Sequence, residues 1–170
     1  VTSSRFRLID ENLEHPKVLD FTKLNGQLDF FKIKGPVVTA DIKQLSLLDH
    51  RGLLVENMVT NFTYSKENIR LEKLNLKTKE STLVGDVILK YKPKDFSDFN
   101  NRVVFDVNME KASVSSNELN YFYNEFGKNL RFYLSTHLTG TLNNFTTHDL
   151  RLLDTNDSEI IGTVNFKNLF

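Results

Sequence analysis

Four histidines, one carboxylate-rich loop and two Asn-x-Thr triplets are the residues of this chain whose types could do chemistry. Imidazole titrates near neutral pH and ligates metals, but His15, His50, His137 and His148 lie far apart in sequence with no ligand spacing. They read as exposed strand or turn residues. Asp154-x-Asn156-Asp157-Ser158-Glu159 has the oxygen ligands of a calcium loop. It lacks the central glycine and the distant glutamate, so it reads as a polar hairpin turn. Asn61-Phe62-Thr63 and Asn144-Phe145-Thr146 fit the glycosylation sequon, yet their phenylalanines look like sheet positions. The 7 glycines stand singly, which leaves no phosphate-cradling loop. With no cysteine, a disulfide scaffold and a cysteine metal site are excluded. Lys+Arg and Asp+Glu balance at 22 each, so the chain has no basic footprint for nucleic acid. The expectation is a protein without catalytic residues, metal or cofactor, and not an enzyme.

What remains is a pattern of apolar residues, and it is strong. In Leu130–Leu142, Leu130, Phe132, Leu134, Thr136, Leu138, Gly140 and Leu142 share one face, while Arg131, Tyr133, Ser135, His137, Thr139 and Thr141 take the other. Strict alternation is the mark of a strand with one dry face. Thirteen residues at ~3.3 Å each would reach roughly 43 Å, about twice a usual strand. Val103, Phe105, Val107 and Met109 repeat the alternation, and Leu83, Val87 and Leu89 share a face with Gly85. Further strands are predicted over Gln27–Ile33, Val38–Leu48, Leu53–Tyr64, Ile69–Lys77, Leu150–Leu153 and Ile160–Phe166. In Ile69–Lys77 the apolar phase shifts from 69 and 71 to 74 and 76, which predicts a β-bulge near Glu72-Lys73. Phe is abundant at 14 and Pro is only 3, as an ordered all-β chain requires. The first twenty residues contribute only a weakly assigned leading strand or loop.

One helix interrupts the strands. Ser115-Ser116-Asn117-Glu118 fits a capping box, Leu119, Phe122, Tyr123 and Phe126 fall at helical spacing, and Gly127 supplies a left-handed cap. A short amphipathic helix over 116–126 is predicted, packed on the dry sheet face as a lid or end plug. Two short patterns repeat: Leu24-x-Gly26-x-Leu28-x-x-Phe31 with Leu138-x-Gly140-x-Leu142-x-x-Phe145, and Leu83-Val84-Gly85-Asp86-Val87-x-Leu89-Lys90 with Ile160-Ile161-Gly162-Thr163-Val164-x-Phe166-Lys167. Such self-similarity marks stacked units that bury a shared face, and a mid-strand glycine lets the sheet coil.

The 170 residues are expected to form a single elongated, curled antiparallel sheet. No stretch approaches the ~20 apolar residues needed to span a bilayer. The chain opens on Val1 and ends in a strand-like run, Thr163 to Phe170, so it is expected to be a segment of a longer protein, with any anchor or signal outside it. The dry face admits two readings. It can close on itself as the core of a sandwich or barrel that acts as a scaffold or protein-interaction module. Alternatively, it can stay open as a trough for acyl chains. Strand length and mid-strand glycines point to the trough, but periodicity alone does not separate the two.

The segment from Leu119 to Asn129 (LNYFYNEFGKN), followed by Leu138-Thr139-Gly140-Thr141-Leu142-Asn143-Asn144-Phe145, resembles the TamB branch of the AsmA-like proteins of Gram-negative bacteria. Phe62-Thr63-Tyr64-Ser65, Asp95-Phe96-Ser97-Asp98-Phe99 and the closing Val164–Phe170 strengthen the likeness, which runs roughly from Phe21 to the end. The resemblance implies a rung of a periplasm-spanning bridge anchored in the inner membrane. Its body would be a curled "β-taco" groove that conducts phospholipids to the outer membrane. It implies phospholipid acyl chains as cargo, and a TamA-type outer-membrane barrel as partner through a C-terminal region that is not in this segment. On that basis the groove-lining set is Leu83, Val87, Leu89, Val103, Phe105, Val107, Met109, Leu130, Phe132, Leu134, Leu138 and Leu142.

Overall fold

Short connections force consecutive strands to lie side by side and antiparallel, and this chain does little else. The structure, a computed structural model, describes residues 1–10, 17–122 and 125–168. Its strands are β1 (Ser4–Asp10), β2 (Lys17–Lys34), β3 (Val37–Asp49), β4 (Leu54–Tyr64), β5 (Asn68–Thr78), β6 (Thr82–Lys90), β7 (Val104–Ser115), β8 (Arg131–Gly140), β9 (Asn144–Asp154) and β10 (Glu159–Lys167). They form one ten-stranded antiparallel sheet in sequence order, open rather than closed into a barrel. The β6–β7 connection carries a 3₁₀ turn, Pro93–Asp98, and one helical turn, α1 (Phe99–Arg102); a second turn, α2 (Ser116–Leu119), follows β7.

The register stacks the apolar residues into rows that cross most of the sheet, from β3 or β4 to β10. One row runs Ala40, Phe62, Leu71, Val87, Val107, Leu138, Thr147, Val164, each directly opposite the next. A second runs Val38, Tyr64, Ile69, Leu89, Phe105, Gly140, Phe145, Phe166. A third runs Met58, Leu76, Leu83, Ala112, Leu134, Leu152, Ile160.

Between the first and third rows, every strand pair from β4–β5 to β9–β10 breaks register. The predicted bulge in β5 is there, with the shift between Leu71 and Leu74 and Lys73 left-handed at φ +53°. β7 carries its own between Met109 and Ala112, and Asp149 of β9 is left-handed at φ +50°. Bulges bend a strand and raise its twist, so a column of them creases the sheet. Many of the buried side chains gather along this crease: Thr60, Leu74, Ala112, Thr136, Thr147 and Leu150.

Each bulge frees a backbone carbonyl that must be repaired when buried. The Thr60 hydroxyl donates to the Glu72 carbonyl at 2.9 Å, and the Thr136 hydroxyl to the His148 carbonyl at 2.9 Å. In both cases the accepting residue immediately precedes the left-handed one. Thr147 donates to the Val164 carbonyl at 3.2 Å, and the Lys73 N–H donates to Asp86 Oδ1 at 2.7 Å.

Several boundaries differ from the sequence expectation. The run 130–142 is strand only over Arg131–Gly140. Leu130 precedes it, and Leu142 lies in a turn where the Thr141 and Asn144 amides donate to each other's carbonyls. β9 starts at Asn144 rather than Leu150, because polar Thr146, Thr147 and His148 hide a strand whose Thr147 is buried for its hydroxyl. β1 and the long β2 occupy the weakly assigned beginning. The expected helix over 116–126 is a single turn ending at Leu119, with Asn120 as its C-cap; Tyr123 and Asn124 lie outside the described residues. Its Ser115 N-cap accepts from the Asn117 N–H rather than from the Glu118 N–H that a capping box uses, and the Glu118 side chain turns away from the cap to a neighbouring hairpin.

The crease predicts a stability test. Thr136→Val keeps the shape and orphans a buried carbonyl, so it should cost about 1–3 kcal/mol. Thr163→Val, on an exposed position, should stay within about 0.5 kcal/mol. Urea denaturation midpoints compare the two.

Candidate apolar groove and its rims

On the apolar face, one side of the crease opens into a cavity of about 470 Å³. Its wall is Leu76, Leu83, Met109, Val114, Phe132, Leu134 and Leu152, from five consecutive strands. Its roof comes from Leu119, Phe122 and Phe126 after α2 and from Leu53 in the β3–β4 turn. Thr78, Ser81, Thr82 and Glu118 complete the lining. The volume falls within the ~300–1,000 Å³ of small-molecule sites.

The roof is fixed at both of its feet. At the near foot, Glu118 is buried and accepts from the Thr78 hydroxyl at 2.6 Å, from the Ser81 hydroxyl and from the Glu80 N–H at 3.1 Å. Ser116, fully buried, takes the Leu130 N–H on its hydroxyl and donates its own N–H to the Leu130 carbonyl, both at 3.0 Å. Arg131 donates to the Glu80 carbonyl at 2.7 Å and to Ser113 at 3.0 Å. At the far foot, the Arg51 guanidinium lies 4.2 Å from the centre of the Phe122 ring, a cation–π contact. The same guanidinium donates to the buried Asp49 at 2.8 and 3.2 Å. Hydrogen bonds from the Arg51 side chain hold the Asp49 carboxyl below the usual carboxylate range; burial opposes this, and the Arg51 backbone N–H assists.

The opposite ends of the strands carry a second aromatic cover. Phe99 meets Phe105 edge-on at 5.8 Å, Phe96 packs on Tyr91 at 4.6 Å, and Phe145 stacks on Phe166 at 4.7 Å. Asn143 donates to Asn101 at 2.7 Å and its N–H to the Asn100 carbonyl at 3.0 Å, which ties this segment to the β8–β9 turn.

The twelve residues singled out in the sequence are thus distributed. Leu83, Met109, Phe132 and Leu134 border the cavity. Val87, Leu89, Phe105, Val107 and Leu138 lie on the same face across the crease. Val103 is completely buried just before β7, its N–H bonded to the Phe99 carbonyl. Leu130 is half-buried beside Ser116, and Leu142 is half-buried in its turn. Sequence reasoning missed Leu53, Leu76, Val114 and Leu152 as cavity residues: register sets Leu76 opposite Leu83 and Leu152 opposite Leu134, and Leu53 enters from the β3–β4 turn. It also missed Glu118 as a rivet, since a capping-box glutamate gives no hint of a distant hairpin.

The other face is polar. Asp106 takes hydrogen bonds from Lys90 at 2.7 Å and shares one with His137 at 2.8 Å, and these, in that order, hold its carboxyl below the usual range. His137 and His148, eleven residues apart in sequence, sit opposite each other on β8 and β9 with rings 5.9 Å apart. His50 lies 3.4 Å from Asp49, and His15 falls outside the described residues. Comparison with protein-family models, curated proteins and solved structures returned no significant match.

Two outcomes follow from the rims. Glu118→Ala strands three donors at a buried site and should cost about 1–3 kcal/mol. It should also speed proteolytic cleavage after Leu119, read by mass spectrometry. The second concerns pH. A carboxyl whose pKa is lowered by folding stabilises the fold above its unfolded value of about 4, and this is lost as pH falls through the folded value. The difference in urea midpoint between the native chain and Asp49→Asn should therefore be full at about pH 7 and shrink as pH falls below about 4.

Proposed function

We propose that the apolar face of this sheet is a groove for lipid acyl chains, and that the chain is one rung of a periplasmic bridge carrying phospholipids between the inner and outer membranes. The observation that carries this reading is an open ten-stranded sheet whose third apolar row walls a roofed cavity rather than a filled core. Phe105, Met109, Leu134 and Leu138 on that face are only half-buried. Each methylene withdrawn from water gains ~0.8 kcal/mol, so a continuous dry wall lowers the barrier to carrying a chain through water. Such contact is non-directional and needs no polar recognition site. The TamB-like resemblance supplies the membranes, the periplasm and an outer-membrane barrel partner as parts of the same proposal.

The test is uptake of an acyl-labelled phospholipid from vesicles by the purified protein. Leu134→Glu puts a carboxylate on the cavity wall and should reduce uptake at least tenfold, about 1.4 kcal/mol, while circular dichroism and protease resistance stay native. Phe105→Glu tests the other side of the crease, and Tyr133→Glu, on the outer face, should leave uptake unchanged. Native folding with undiminished uptake in both groove variants refutes the lipid path. Unfolding of both means that these rows act as closed core.

A further inference from the structure

The polar face carries two imidazoles side by side. His137 of β8 and His148 of β9 stand directly opposite each other, with ring centres 5.9 Å apart. Theirs is the last pair before the β8–β9 register shift. Continuing the Ser135–Arg151 register would set Asp149 opposite His137; the bulge takes up Asp149 and leaves His148 in that place. The crease also fixes the His148 backbone, because its carbonyl accepts from the buried Thr136 hydroxyl at 2.9 Å.

Each ring is anchored through one nitrogen. Asp106 takes the Lys90 ammonium on one carboxyl oxygen at 2.7 Å, and its other oxygen lies 2.8 Å from His137 Nε2. These bonds, in that order, hold Asp106 in its ionised form at neutral pH. A carboxylate only accepts, so neutral His137 carries its proton on Nε2 and its lone pair on Nδ1. His148 Nε2 lies 3.2 Å from the Thr139 hydroxyl, which can accept in the same way. Among the described residues, Nδ1 of neither ring has a hydrogen-bond partner. His137 is exposed and His148 is half-buried. A metal-ligating histidine gives its other N–H to a carboxylate or a similar acceptor, which fixes the tautomer and aims the ring. Both rings already have that support.

We propose that Nδ1 of His137 and Nδ1 of His148 together bind one divalent transition-metal ion of the Zn²⁺ and Cu²⁺ class, with Asp106 and Thr139 orienting the rings. Imidazole nitrogen suits these ions. Facing rings 5.9 Å apart are within reach of one ion standing ~2.0–2.1 Å from a nitrogen of each. Among the described residues no third imidazole or carboxylate is placed to ligate. The remaining positions therefore fall to water or an anion, as in an open site rather than a structural one. The spacing of the histidines in sequence gives no sign of this site, because register creates it. It is independent of the lipid reading, since it lies on the opposite face of the sheet.

The probe is Zn²⁺ alone, titrated as its chloride into the whole chain and followed by calorimetry at about pH 7.5, above the usual imidazole pKa. One ion per chain is expected. His137→Ala and His148→Ala should each weaken binding at least tenfold, about 1.4 kcal/mol. Asp106→Asn, which alters a supporting group, should weaken it about tenfold. His50→Ala, in the β3–β4 turn, should leave it unchanged. Circular dichroism verifies folding; where alanine disturbs it, His137→Gln and His148→Gln, which keep a hydrogen-bonding side chain, take its place. Nitrogen NMR of the imidazoles should show Zn²⁺ moving the Nδ1 resonances of both rings. Absence of saturable binding overturns the proposal, as does binding that survives loss of both histidines or an ion held through Nε2. Sedimentation showing that Zn²⁺ joins two chains gives the histidines to a contact between copies and also overturns it.

Discussion

The structure depends on a column of β-bulges and on the buried threonine hydroxyls that repair them. A flat ten-stranded sheet would leave its dry face spread against water. Breaks at the same height in every strand pair from β4–β5 onward fold that face inward, and at three of the six a buried carbonyl is left outside the ladder. Thr60, Thr136 and Thr147 answer those carbonyls from the neighbouring strand, at a net gain of about 1 kcal/mol per bond against a larger loss if it is missing. The crease is therefore the core, and the halves of the strands on either side of it are walls.

Among the described residues no second sheet covers a wall made this way. The chain covers it at the strand ends instead, with one-turn helices and the aromatic residues around them. Glu118 and Arg51 pin the same roof from opposite sides, one by accepting three hydrogen bonds, the other by placing a guanidinium on Phe122. Polar anchors at the feet leave the span between them free to be apolar on its inner surface, which is how a roofed cavity survives beside the crease.

The glycine of the repeated pattern serves the crease. At Gly85 the absent side chain allows the neighbouring backbone to close on a bulge, and the crease passes through without interruption. Gly162, which holds the matching place in β10, has a positive φ as well.

Much of this was legible in the sequence. Alternation in 130–140 and 103–109 fixed which side chains share a face, because a strand's period of two leaves no alternative once one face is dry. The phase shift at Glu72-Lys73 located a bulge, and the same signal sits between Met109 and Ala112 of β7. Other features were not legible. The bulge opposite Thr136 lies on β9, so the unbroken alternation of β8 conceals it. Thr147 looks polar in sequence and is buried because a partner strand presents a carbonyl to it. The helix after Ser115 stops at Leu119 although aromatics continue at helical spacing, since Phe122 packs on Arg51 and Phe126 on Phe132 rather than along one helix face. Local pattern determined the strands and their dry face, because alternation is a property of one strand alone. Register, the crease, the rivet at Glu118 and the open cavity were decided only in the tertiary structure, because each depends on which residue of another strand lies opposite.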